Sequence, residues 1–204
     1  MFKEIPASII STSRRKLVFG HGINDAKYIV RPRIEGKLYI CPFYSKWHGM
    51  FKRCYSEKAH KQRPKYAECS VCDEWLIFSN FKDWMTKQDW RGKDLDKDLA
   101  VSGNKVYSPD RCIFVTQEIN KLLDDHGAAR GEQPQGVYFD KRYGTFQSCC
   151  NNNGQKKHLG SFSNAEGASG AYKKFKSMVI LETALKQVQP LRGYLIRISG
   201  EYLV

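Results

Sequence analysis

The apolar positions change period along the chain, and each period predicts an element. Residues 1–45 are irregular, apart from the alternation Lys37-Leu-Tyr-Ile-Cys41, which predicts a strand. Trp47, Met50, Phe51, Cys54 and Tyr55 then recur at i, i+3, i+4, i+7 and i+8, the apolar face of one helix. A basic loop follows over 58–65. The aromatic stretch from Trp75 to Met85 predicts a helix begun at Ser79 or Asn80, its rings directed into a core. Residues 95–115 predict strand, turn, strand, with Gly103-Asn104 and Ser108-Pro109-Asp110 as turn chemistry. A short helix from Gln117 to Asp124 would bury Ile119, Leu122 and Leu123.

After a hydrophobically empty stretch, 126–135, the period falls to two. Gly136–Phe139, Thr145–Cys150 and Lys157–Gly160 predict three short strands, turned at Tyr143-Gly144 and at Asn151-Asn-Asn-Gly154. Cys149 and Cys150 would then point to opposite faces of the sheet. Ser163-Asn-Ala-Glu166 predicts a capping box. The helix it opens carries Ala168, Ala171, Tyr172, Phe175, Met178 and Val179 on one face. Three strands do not close a core alone, so that face should cover one side of the sheet and leave the other open. Residues 187–204 predict a tail of one or two strands. The expected class is α+β: a domain over 1–125, a linker over 126–135, a sheet-and-helix module over 136–186, then the tail.

Charge sharpens this picture. The 204 residues carry 34 Lys and Arg against 21 Asp and Glu, a net charge of +13. Residues 1–68 hold 15 cations and 5 anions, residues 69–130 hold 9 and 11, and residues 131–204 hold 10 and 5. Two basic segments flank a near-neutral middle, which points to phosphate, with double-stranded DNA as the partner. Lys52 and Arg53, on the polar side of the first helix, are candidate phosphate contacts. No long apolar span or basic amphipathic helix favours a membrane partner. The first thirteen residues lack the apolar run of a signal peptide, and seven scattered cysteines suit a reducing cytoplasm. Cys69-Ser-Val-Cys72 is half of a structural zinc site. Its other half would have to come from Cys41, His48, Cys54 or Cys112, none of which forms a second tight pair, so buried free thiols are the favoured expectation.

Gly136-Val137, Gly144, Phe146, Leu159-Gly160, Phe162, Ala165-Glu166, Ala168 and Ala171-Tyr172 together resemble the plant Apetala/ethylene-response-factor type of DNA-binding domain, over about a quarter of the chain. The resemblance implies a three-stranded antiparallel sheet laid in the major groove. It places Tyr138, Asp140, Tyr143, Cys149, Asn151, Lys156 and His158 outward, with Lys141, Arg142, Lys156 and Lys157 as phosphate contacts. The plant domains use arginines and tryptophans at several of these positions, so no target sequence carries over.

The middle of the chain, through Trp47, Met50, Arg53-Cys54-Tyr55, Cys69, Trp75, Phe78, Phe81, Trp84, Leu95-Asp-Lys-Asp98, Gly103-Asn104, Tyr107-Ser-Pro109, Cys112, Phe114-Val115 and Asn120, resembles bacteriophage proteins of the HNH homing-endonuclease type. That resemblance implies a ββα site in which Asp96 and Asp98 hold Mg2+ or Mn2+ and Asn120 orients the base. Lys97 stands where the catalytic histidine belongs, and Tyr107, Ser108 and Cys112 replace asparagines. His48 and His60 are the nearest substitutes for the base. The plain alternative for residues 96–98 is a salt-bridged turn. The expectations are therefore a DNA-binding protein with a degenerate nuclease centre, an active metal-dependent endonuclease, or an effector whose basic surface meets an acidic host protein, each in the host cytoplasm.

Overall fold

The computed structural model describes residues 2–124, 132–152 and 154–203. The protein is of the α+β class, and its chain divides into two compact units, residues 1–116 and 117–204. The division falls just ahead of the predicted short helix, upstream of the expected boundary. Residues 126–131 of the expected linker lie outside the described residues.

The first unit opens with α1 (Ile9–Ser13), whose N-cap Ser8 accepts a bond from the Ser11 amide. The predicted strand at 37–41 shortens to β2 (Lys37–Leu38), paired antiparallel with β1 (Arg33–Ile34). Glu35 and Gly36 turn that ribbon with φ of 49° and 79°, the paired positive angles that a two-residue hairpin turn needs. α2 (Pro42–Tyr55) begins with proline in its first turn, where a missing amide hydrogen costs nothing. It buries Tyr44, Trp47, Met50, Phe51 and Cys54, the predicted face with Tyr55 at its margin. The Trp47 indole donates to the Trp75 carbonyl at 2.7 Å, so this large ring enters the core with its polar atom satisfied. α3 (Glu57–Gln62) follows in the basic loop. β3 (Ser70–Val71) leads to α4 (Phe78–Thr86), which starts just ahead of the predicted cap and buries Phe78, Phe81 and Met85. Trp75 meets Phe81 edge-on at 5.0 Å, a preferred ring geometry.

Residues 94–115 make two pairings where one hairpin was expected. β4 (Asp94–Asp96) pairs antiparallel with β6 (Ile113–Val115). The excursion between them supplies β5 (Val106–Tyr107), which pairs parallel with β3.

The second unit begins with α5 (Gln117–Leu123), which buries Ile119 while Leu122 and Leu123 are half-buried. β7 (Val137–Asp140), β8 (Thr145–Asn152) and β9 (Gln155–Phe162) form an antiparallel sheet in the order β7-β8-β9, with a register shift between Ser148 and Cys149. α6 (Ala165–Leu185) packs on one face of it. Its cap is Asn164, one residue later than predicted, whose Oδ1 accepts from the Gly167 amide at 2.7 Å. The buried stripe of α6 is Ala168, Tyr172, Lys176, Val179, Ile180 and Ala184, whereas Met178, expected inside, is 44% exposed.

The tail is a helix. α7 (Leu191–Glu201) packs on α6 and buries Leu191, Leu195 and Ser199 at i, i+4 and i+8. The run Tyr-Leu-Ile-Arg-Ile suggested strands through its β-branched content, but burial of the two leucines at helical spacing outweighs that propensity.

Candidate nucleic-acid interface

The open face of the sheet follows from the register. Tyr138 stands opposite Gln147, and Gln147 opposite Ser161, so the three share one side. A hydrogen-bond ladder fixes them: Ser161 Oγ donates to Gln147 Oε1 at 2.8 Å, and Gln147 Nε2 donates to Thr145 Oγ1 at 2.9 Å. Beyond the register shift the same side carries Cys149 opposite His158, with Sγ 3.8 Å from Nδ1, and Asn151 opposite Lys156. Lys156 Nζ lies 5.1 Å from the centroid of Tyr138, two strands away. Tyr138, Asn151, Lys156 and His158 are exposed. The face presents phenol, amide, imidazole and ammonium groups, a mixture of donors and acceptors suited to base edges and phosphates.

Several predicted phosphate and base contacts move. Lys157 stands opposite Cys150 on the helix-covered side and rests its Nζ 4.7 Å from the ring of Phe175, so it is not part of the open face. Asp140 accepts from the Arg142 amide at 2.9 Å and shapes the turn. Lys141, Arg142 and Tyr143 extend from that turn, with Tyr143 76% exposed. Among the described residues, Lys141, Arg142 and Lys156 have no ion-pair partner. Gln147 and Ser161 were not among the expected residues, although Gln147 shares the alternation of Cys149 and Asn151; the facing of Ser161 depends on the register shift, which no turn residue announces.

In the first unit, Lys52 is exposed, but Arg53 is half-buried. Arg53 Nε donates to the Tyr107 hydroxyl at 2.9 Å, and its guanidinium lies 5.4 Å from that ring, a structural role in place of the phosphate contact expected.

Around Asp96 the plain alternative is the observed one. Asp96 Oδ1 accepts from the amides of Asp98 and Leu99, both at 2.8 Å. Burial pushes its carboxyl up, against the pull of those two amides. Lys97 is 5% exposed, donating to Asp98 Oδ1 at 2.5 Å and to the Asn104 carbonyl at 2.7 Å. Burial disfavours the charge on Lys97, but the Asp98 carboxylate outweighs it and pushes the ammonium's pKa up, the wrong direction for a general base.

Neither substitute histidine reaches the carboxylates: His60 Nε2 contacts the Arg53 carbonyl at 2.9 Å, and His48 lies against Phe19 and Tyr44. Asn120 sits on α5, in the other unit. Among the described residues, no group of three or more His, Cys, Asp or Glu is placed to hold a metal. All seven cysteines are free thiols, and burial pushes Cys54 and Cys112 up to about 12.

No family model, curated protein or solved structure matches the chain. Among the described residues, no helix is long and apolar enough to cross a membrane.

Proposed function

We propose that the protein binds double-stranded DNA through the open face of its C-terminal sheet. One observation carries this reading: among the described residues α6 packs on one side of the sheet, and its other side displays Tyr138, Asn151, Lys156 and His158 over a fixed Thr145–Gln147–Ser161 ladder. A twisted three-stranded sheet is narrow enough to enter the major groove, where amide and imidazole groups meet base edges. Lys141, Arg142 and Lys156 supply charge at the rim, positioning the module on phosphates without specifying sequence. The spread of positive charge over both ends of the chain supports the same reading.

Titration of a labelled duplex across a salt series tests it. Binding that weakens linearly on a log–log plot is expected, with Tyr138→Ala and Lys156→Ala each lowering affinity. Absence of duplex affinity at low salt, or affinity indifferent to salt, overturns the reading. In that event, a host partner that survives nuclease treatment in a pull-down would favour a protein-binding role for the basic surface.

A further inference from the structure

The polar groups of the open face are not equally free. Gln147 and Ser161 bond to each other, Gln147 bonds also to Thr145, and Gln147 is 8% exposed, so its amide belongs to the sheet. The imidazole of His158 has its Nδ1 3.8 Å from the Cys149 thiol. The ammonium of Lys156 is drawn across β8 to the ring of Tyr138, 5.1 Å from its centroid. Among the described residues, Asn151 carries the one amide of this face left over. It is exposed, and its side chain has no hydrogen-bond partner within the protein.

The free amide stands on a fixed backbone. Asn151 lies inside β8, opposite Lys156 of β9, and its carbonyl accepts from the Cys150 thiol at 3.6 Å. Alternation sends its neighbours to the helix-covered side, where Cys150 is buried and Asn152 half-buried. A side chain carried on a strand is presented with less freedom than one carried on a loop. An asparagine amide is donor and acceptor at once, which matches the adjacent N7 acceptor and N6 donor of adenine in the major groove. Guanine shows two acceptors there and calls for a fork of donors such as arginine. Among the described residues, none that the register places on the open side is an arginine, and the lysine there is drawn over Tyr138.

We infer that Asn151 is a specificity-determining residue that pairs with an adenine in the major groove, its Nδ2 donating to N7 and its Oδ1 accepting from the N6 amino group. The inference rests on the reading of this sheet as the duplex-binding face and adds a base preference to it. Lys141 and Arg142 at the rim set position on phosphates without bearing on that choice of base.

The test uses the full chain and a pool of duplexes with a randomised central segment, from which bound molecules are recovered and sequenced. The parent should recover sites with a fixed A·T pair that Asn151→Ala no longer selects. On a duplex carrying that site, Asn151→Ala should lower affinity about 5- to 150-fold, the range for one bidentate amide–base pair, while Asn152→Ala leaves it unchanged. Replacing that adenine by 7-deazaadenine, which lacks the N7 acceptor, should weaken the parent and leave Asn151→Ala unaffected. Sites without a fixed A·T pair, or the same pair still selected by Asn151→Ala, overturn the inference, and the sheet reading stands if Tyr138→Ala and Lys156→Ala weaken binding. Equal loss from 7-deazaadenine in parent and variant also overturns it, since another group then holds that base. Failure of the parent to recover any duplex overturns the inference and the sheet reading together.

Discussion

Lys156 of β9 holds its ammonium 5.1 Å from the ring centroid of Tyr138 on β7, bridging the full width of the three-stranded sheet. The pair ties the two edge strands together across β8 and sets a cation above the middle of the open face. Exposed cation–ring pairs contribute about 0.5–1 kcal/mol. If the ring positions the ammonium for DNA, the two residues act as a unit. A double-mutant cycle on duplex affinity should then show Tyr138→Ala and Lys156→Ala falling short of additivity by a similar amount. Strictly additive effects would mean that ring and ammonium meet DNA independently.

Asn104 is the organising residue of the loop between β4 and β5, and it is 5% exposed. Its Nδ2 donates to the carbonyls of Lys97 and Val106 at 2.9 and 2.7 Å, while its Oδ1 accepts from the Val106 amide at 3.1 Å and from Arg111 at 3.3 Å. Truncation to alanine leaves these buried partners without replacements. Asn104→Ala should lower stability by roughly 2–3 kcal/mol, seen as an earlier urea midpoint with unchanged slope. A midpoint within error of the parent would show that water replaces the side chain.

Legibility in the sequence followed the range of the interactions. The face of α2 through Trp47, Met50, Phe51 and Cys54 was plain, because helical period and aromatic content agree there. The three-stranded sheet and its covering helix were plain for the same reason, with Gly144 and Gly154 marking turns at φ of 63° and 83°. The tail misled, since β-branched residues at Ile196 and Ile198 spoke for strand while Leu191 and Leu195 met α6. Lys156 and His158 face outward as read, with Lys157 between them meeting Phe175, but the shift between Ser148 and Cys149, which puts Ser161 on that same side, escaped local reading. Around Asp96 the residue types matched a metal centre, but a carboxylate serves a turn amide as readily as a cation, and only the folded geometry separates the two.

Gly136 opens β7 with φ of 76°, and a Cβ there would fall 1.9 Å from the Tyr172 ring on α6. Tyr172 is buried in the layer between helix and sheet, so it has nowhere to yield. Gly136→Ala combines a left-handed backbone cost of about 1–2 kcal/mol with that overlap. Thermal unfolding should therefore show a large fall in Tm. Gly170→Ala, where a Cβ meets nothing within 4 Å and helix propensity favours alanine, should be neutral or stabilising. Equal behaviour of the two variants would contradict the packing described.

Asp96 gives a prediction that separates a turn former from a metal ligand. Burial raises its pKa in the folded protein, so the folded state holds the proton more tightly than the unfolded chain. Ionisation therefore costs stability at neutral pH, and the cost fades as pH falls from the raised folded value to the ordinary aspartate value, below which it is gone. Asp96→Asn keeps an Oδ1 for the Asp98 and Leu99 amides and removes the charge. The variant should be at least as stable as the parent at neutral pH, with any gain closing toward acid. Supercoiled plasmid with Mg2+ or Mn2+ should stay intact with both proteins. Nicking by the parent that disappears in Asp96→Asn would restore the nuclease.

Lys176 reverses the usual logic of a basic residue in this protein. It is 5% exposed on the buried stripe of α6, among Ala168, Tyr172, Val179 and Ile180, and no carboxylate pairs with it among the described residues. Burial lowers its pKa, opposed only by the nearby Cys150 thiol. The unfolded chain thus binds this proton more tightly than the folded one. Stability should rise with pH through the window from the depressed folded value to the ordinary lysine value, and the penalty is complete below that window. Lys176→Met keeps the length of the stem and discards the charge. It should stabilise the second unit by on the order of 1 kcal/mol near neutral pH, with the advantage shrinking as pH approaches the ordinary lysine range. Thermal melts of both proteins across that pH series measure the convergence. A methionine variant less stable at every pH would mean that the ammonium is held by a partner in the folded state, and that its burial is compensated.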